Sequence, residues 1–287
     1  LILRTGVRNS VPEKRKVTLQ AHSKTEHEFT AELITAYLSG ADEIEILFKS
    51  PHLDPQSVKD AIKNLAGLEI LDQTSSKVVA SYLLDSKEIS AESLTRRMDN
   101  IIRSMMTDCE LCITGSCDAL SIKERDDDLN RLYYLLVRTL RLLMTKKKYT
   151  PDLNPWNIHG YLVLAKKLEK IADNQKRFAR NVSALQLSPT FRRELLAVYH
   201  LIHQAYVDVL TANYKNDKKG ALAVEHSSVI RKDACDKLLS SDLRKAYKKA
   251  KTTQTSIHEH MIMMDIVGNM KIAATHIRRI ARVILDR

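Results

Sequence analysis

From about Ile89 to the end, the sequence keeps the 3.6-residue spacing of amphipathic helices through nearly 200 positions with few breakers. Helices apolar on one stripe bury it against other helices, so this part can fold only as a helical bundle or a set of bundles. The whole chain has seven glycines and six prolines, too few turn signals for a β-rich protein of 287 residues. The breaks that do occur divide the region into six expected helices. Ser90-Ala91-Glu92-Ser93 starts the first, which ends at Gly115-Ser116. The second runs from about Asp118 to Met144 and the third from about Pro155 to Leu185. The last three cover about 189–214, 222–250 and 252–285, with Asn213 to Gly220 as the clearest break.

Residues 1–90 read differently. Val17 to Ala21 and Glu43 to Phe48 have strand character, and Glu26 to Leu38 reads as a helix ending at Ser39-Gly40. Asp54-Pro55 opens a helix through Leu65, followed by apolar runs at Leu68–Leu71 and Val78–Leu84. The expected fold is therefore mainly α, with a small α/β domain at 1–88 and three-helix bundles at 89–187 and 188–287. Internal matches accompany this order: Arg125, Asp127, Arg131, Leu132 and Arg138 against Arg231, Asp233, Lys237, Leu238 and Arg244, and Ala172, Arg177, Ala179 and Arg180 against Ala274, Arg279, Ala281 and Arg282.

The formal net charge is +11. Residues 1–90 hold about −2 of it, leaving roughly +13 on the helical region, carried by Lys146-Lys147-Lys148, Lys218-Lys219, Lys245, Lys248, Lys249, Lys251, Arg278, Arg279 and Arg282. Such a surface favours anionic partners: nucleic acid, a membrane face or an acidic protein. Aromatic residues, at 5%, are not interleaved with these lysines, which argues against a single-strand stacking platform. No apolar run reaches the roughly 20 residues needed to span a bilayer, and the mean hydropathy of −0.27 agrees. A soluble, cytoplasmic protein, peripheral to a membrane at most, is expected. The chain opens at Leu1 without methionine, so an upstream piece is expected to precede it. Cys109, Cys112, Cys117 and Cys235 form no compact disulfide framework. Cys109 and Cys112 have C-x-x-C spacing without a second pair, and the expected state is buried thiols.

Candidate chemistry centres on LVLAKKLEKIADNQKRFARNV, Leu162 to Val182. Leu164, Leu168, Ile171, Ala172 and Phe178 form its buried stripe, and Glu169 and Asp173 stand four residues apart on one face near the margin. Asp126 and Asp127, within Glu124 to Asp128 upstream, are placed to face them. Two readings compete. The carboxylates can hold a hard cation such as magnesium, or iron or zinc at oxygen sites; or Glu169 and Asp173 pair with Lys166, Lys170, Lys176 or Arg177. In the second half the counterparts of Glu169 and Asp173 are Lys271 and Thr275, and Asp233 and Asp236 read as salt-bridge or capping residues. Among Val198, Tyr199, Leu201 and Ile202, His200 and His203 read as packed histidines, and His258 and His260 point to different faces. No G-x-S-x-G, glycine-rich phosphate loop or H-E-x-x-H is present, which points to binding and regulation rather than catalysis.

The combination of ERDDDLNRLYYLLVR with YLVLAKKLEKIADN, on the second and third helices of a three-helix bundle, resembles the PhoU family of phosphate-uptake regulators. ITAYLSGADEIEI, NLAGLEILDQTSSKVVASYLLD and SLTRRMDNIIRSMM, in that order, resemble its archaeal branch. The resemblance implies two tandem bundles and a non-catalytic adaptor acting on a phosphate transporter subunit or a sensor kinase. It also implies a metal motif to which Glu169, Asp173, Asp126 and Asp127 correspond. Asn130, Lys271 and Thr275 depart from that motif. Arg125, Arg131, Arg177 and Arg180 are the expected partner-binding residues, and a homodimer fits the pattern. Archaeal relatives often begin with an AbrB-like DNA-binding domain, of which residues 1–20, starting Leu1-Ile2-Leu3-Arg4, would be a remnant. The alternative function is accordingly a DNA-binding regulator of phosphate-responsive genes.

Overall fold

The structure, a computed structural model, describes residues 14–22, 24–48, 54–84, 89–145, 154–249 and 254–286, without the side chains of 241–257. Leu1 to Arg4, Lys146 to Lys148 and Lys251 lie outside the described residues, as do the side chains of Lys245, Lys248 and Lys249. The chain divides into two compact units at Glu88/Ile89.

In the first unit, strands β1 (Lys16–Gln20), β2 (Glu43–Leu47), β3 (Leu68–Gln73) and β4 (Lys77–Tyr82) form one sheet in the order β1-β2-β4-β3. β1 and β2 run parallel, connected through helix α1 (Glu26–Leu38), while β4 pairs antiparallel with both β2 and β3. Helix α2 (Pro55–Lys63) lies beside α1. Alternation in β2 sends Ile44 and Ile46 into the core and leaves Glu43 and Glu45 at the margin. A capping box sets the start of α1: the Thr25 hydroxyl accepts from Glu28 N–H while the Glu28 carboxylate accepts from Thr25 N–H. Phe29, Leu33 and Tyr37 anchor the helix, and the Tyr37 hydroxyl donates to the Ala66 carbonyl at 2.8 Å.

The second unit is helical: α3 (Ala91–Thr114), α4 (Ala119–Thr145), α5 (Pro155–Ser183), α6 (Pro189–Lys215), α7 (Lys218–His226), α8 (Ser228–Lys249) and α9 (Gln254–Leu285). Helices α3, α4 and α5 pack on one another as one three-helix set. α6, α9 and the α7–α8 pair form a second, and the sets meet along α5 against α9 and α3 against α6. Met98, Ile102, Met105 and Met106 of α3 are fully buried, as expected of core filler at that spacing. At roughly 2 kcal/mol for each large apolar side chain removed from water, these faces hold the unit together.

Two expectations are corrected. The fifth helix, expected as one piece over 222–250, is two. Asp217 caps α7 by accepting from Gly220 N–H, and α7 stops at Ser227, where the Arg231 guanidinium donates to the Ser227 hydroxyl (2.8 Å) and the Val224 carbonyl (2.7 Å). This arginine satisfies the Val224 carbonyl, which a continuing helix would have used, so the break needs neither glycine nor proline. Cys112 and Cys117, expected as thiols, are joined in a disulfide across the α3–α4 turn. Cys109 and Cys235 are free and buried; burial pushes the Cys109 thiol up to about 12 and that of Cys235 up to about 11.

Gly115 ends α3 in the left-handed region, at φ 112°, with its N–H donating to the Leu111 carbonyl at 3.0 Å. A Cβ there would also come within 2.8 Å of Arg192 Nη1, the flexible tip of that side chain. Gly115→Ala is expected to destabilise the protein by about 1–2 kcal/mol, nearly all from the backbone. Urea denaturation monitored by circular dichroism checks this.

Candidate functional site

Helices α4 and α5 lie side by side, and their register brings Asp126 against the last turns of α5. Asp126 is 1% exposed and accepts from Lys176 Nζ at 2.5 Å. The same ammonium lies 3.3 Å from Asp173, which also pairs with Arg177 at 3.0 Å. One turn back, Glu169 is held by Lys166 (3.2 Å) and Lys170 (3.4 Å). Asp126 and Asp173 are therefore brought together around a lysine, Glu169 sits in its own pair of lysines, and Asp127 is exposed. Asn130 donates only a long contact, 3.5 Å, to Asp126.

Burial pushes the Asp126 carboxyl above the ordinary aspartate range, against the pull of Lys176 and with the push of Asp173 and Asp127. Desolvation draws Lys176 down, but its hydrogen bond and Coulomb attraction to Asp126, with Asp173 adding, leave it raised. Between Asp126 and Asp173, where the metal reading places an ion, the chain supplies its own cation. Among the described residues no three His, Cys, Asp or Glu side chains are grouped to hold a metal. The donor set as it stands does not fit a bound metal, and the salt-bridge reading of Glu169 and Asp173 describes the arrangement.

The expected partner-binding arginines differ in availability. Arg125 is tied to Asp108 of α3, Arg177 to Asp173, and Arg131 lies 4.0 Å from Asp128. Arg180 is exposed. In the second set Lys271 pairs with Asp236 across α9 and α8, while the Thr275 hydroxyl donates to the Lys271 carbonyl at 2.8 Å. Asp233 is exposed. His200 and His203, expected to be packed, instead face Glu110 of α3: His203 Nδ1 lies 2.6 Å from one carboxylate oxygen and His200 Nε2 3.4 Å from the other. Sequence spacing showed the histidine pair but not Glu110, which reaches them only once α3 and α6 are packed.

A seam of positive charge accompanies the threonine at 275. Arg177 has Asp173 as its neighbour one turn back, whereas its counterpart Arg279 has Thr275. Across α5 and α9, Arg279 and Lys167 repel, and both act on the half-buried His276. Burial first, then Lys167, Arg279 and Lys170, hold that imidazole down to about 4.

Two three-helix sets fused along α5 and α9 define a PhoU-type fold. Residues 95–182 match the family model of the PhoU domain. No curated protein matches the chain. Among solved structures, PhoU from Pseudomonas aeruginosa superposes with a TM-score of 0.58 at 18% identity, covering 68% of this chain and 93% of that one. The phosphate transport system regulatory protein PhoU from Streptococcus pneumoniae gives 0.56 at 17% identity, covering 68% and 91%. At these identities the structural likeness shows the fold, and the resemblance in sequence is to the PhoU domain over residues 95–182.

Replacing Lys176 by methionine leaves Asp126 buried without its cation. The variant is expected to lose about 2–3 kcal/mol at pH 7, and the deficit should shrink as the pH falls and Asp126 takes up a proton. Denaturant titrations of both proteins at several pH values check it. His276 has the opposite sign. Its folded value lies below its ordinary 6.5, so the stability it allows is present above 6.5 and lost as the pH falls toward 4. His276→Gln should flatten the stability profile over that interval.

Proposed function

We propose that this protein regulates phosphate uptake as a non-catalytic adaptor, docking its helical unit on a phosphate transporter subunit or on a phosphate-sensing kinase. The match of residues 95–182 to the PhoU domain, set within a PhoU-type fold, is the observation that carries this reading. One of the similar structures is a phosphate transport system regulatory protein by name. The arrangement of the acidic face supports an adaptor. Its carboxylates are tied up by lysines and arginines, and no helix among the described residues is long and apolar enough to cross a membrane, so contact with a transporter would come from the side of a membrane. The metal expected at Glu169, Asp173, Asp126 and Asp127 plays no part in this reading, because Lys176 stands between the carboxylates that would bind it.

Exposed Arg180 and Arg131 are the arginines best placed to meet an acidic partner surface. Deleting the gene is expected to leave phosphate uptake unrestrained in phosphate-replete cells, and a pull-down from cells grown with and without phosphate should capture the transporter subunit or kinase. The double variant Arg131→Glu, Arg180→Glu should lose that capture at least tenfold while its melting temperature stays within a few degrees. Uptake unchanged by the deletion overturns the proposal.

A further inference from the structure

Where the two sets meet, a cavity of about 600 Å³ lies between α3, α6 and the α7–α8 junction. Arg231 lines it while being only 4% exposed. A guanidinium presents five N–H groups. Here one donates to the Ser227 hydroxyl and one to the Val224 carbonyl, while Nε is buried without a partner. Among the described residues no carboxylate forms an ion pair with it, although the charge of Asp208 acts on it from a distance against the cost of burial. A buried cation without a bonded counter-ion costs several kcal/mol, and such groups are normally paired.

The other half of the unit shows how the pair is normally closed. Buried positions Ile102, Met105, Met106, Cys109 and Cys112 of α3 match Ile202, Ala205, Tyr206, Val209 and Ala212 of α6 in spacing. This register makes Asp208 the counterpart of Asp108, as Arg231 is of Arg125. Arg125 and Asp108 form an ion pair. Asp208 is exposed and instead accepts from Gln204 Nε2 at 2.9 Å, and both Asp208 and Arg231 border the cavity. The carboxylate of Glu110, also on the wall, is engaged by His200 and His203. What the second set has in place of a closed ion pair is an opened one with a space beside it.

We propose that this cavity binds a phosphoryl oxyanion, free or carried by a small molecule, with Arg231 as its principal ligand. The fork geometry and the two N–H groups left over on Nη1 and Nη2 suit an acceptor with several oxygens. Ligand pockets of small molecules span roughly 300–1,000 Å³, so the space takes more than the anion. Leu201, Val224 and Ile230 offer apolar wall for the remainder. Asp208 opposes an anion by Coulomb repulsion, so its charge sets how tightly the site holds. The inference rests on Arg231 and the cavity, not on the phosphate-uptake reading, and its failure would leave the uptake experiment as it stands.

The test is isothermal titration of the full chain with inorganic phosphate, sulfate and adenosine monophosphate. Binding is expected to weaken at least tenfold in Arg231→Met and to tighten severalfold in Asp208→Asn. Tighter binding of the nucleotide than of phosphate assigns the site to an organic phosphate, and the reverse order assigns it to the free ion; either supports the proposal. Absence of heat with all three overturns it, as does an Arg231→Met protein that binds as the wild type does. Should Arg231→Met fail to fold, Asp208→Asn decides alone, and unchanged affinity in that variant refutes the site.

Discussion

Helix α5 packs against α3 and α4 on one side and against α9 on the other, so it is enclosed by two sets of helices at once. Leu164, Leu168, Ile171, Ala172 and Phe178 are all buried, as are Ile266, Val267, Met270, Ala273 and Ile277 of α9. An apolar stripe this wide has no place on the surface of a single three-helix bundle. The second bundle is a requirement of α5, and the positions of the carboxylates on α5 follow from how it is clamped. A polar contact fixes α5 against α6: the Tyr199 hydroxyl donates to the Gln175 side chain at 2.5 Å. Sliding α5 by one turn would break this bond and bury an unpaired amide.

The two halves share this architecture but treat charge differently. In the first, three of the cations on these faces have a carboxylate close by: Arg125 has Asp108, Lys176 has Asp126 and Asp173, and Arg177 has Asp173. In the second, Thr275 stands where an aspartate would meet Arg279, and Asp208 accepts from Gln204 and forms no ion pair with Arg231. Some closure remains, since Glu225 of α7 is shared by Arg278 and Arg282, whose hydrogen bonds pull its carboxyl below the ordinary range. The net positive charge of the helical unit is thus partly an inventory of carboxylates that the second half lacks.

Local chemistry was readable where it acts over a few residues. The bounds of α1 follow from Thr25 and Glu28 at one end and Ser39-Gly40 at the other, and the stop of α3 from Gly115. The salt-bridge partners of Glu169 and Asp173 were readable for the same reason, being one turn away. What the sequence could not show depends on contacts between helices. Ser227 breaks the fifth helix because Arg231 folds back on it, with no glycine or proline to signal it. Lys176 reaches Asp126 across fifty positions, Glu110 meets its histidines only through α3 and α6, and Cys112 finds Cys117 rather than Cys109 because a turn brings the former pair together.

The enclosure of α5 also sets an order of events during synthesis. Its inner face can be covered as soon as α5 itself emerges, because α3 and α4 precede it, but its outer face waits for α9, the last described helix to leave the ribosome. Throughout that interval the nascent first half displays an uncovered apolar groove. Chaperones or a premature neighbour would meet the chain there, before α9 closes it.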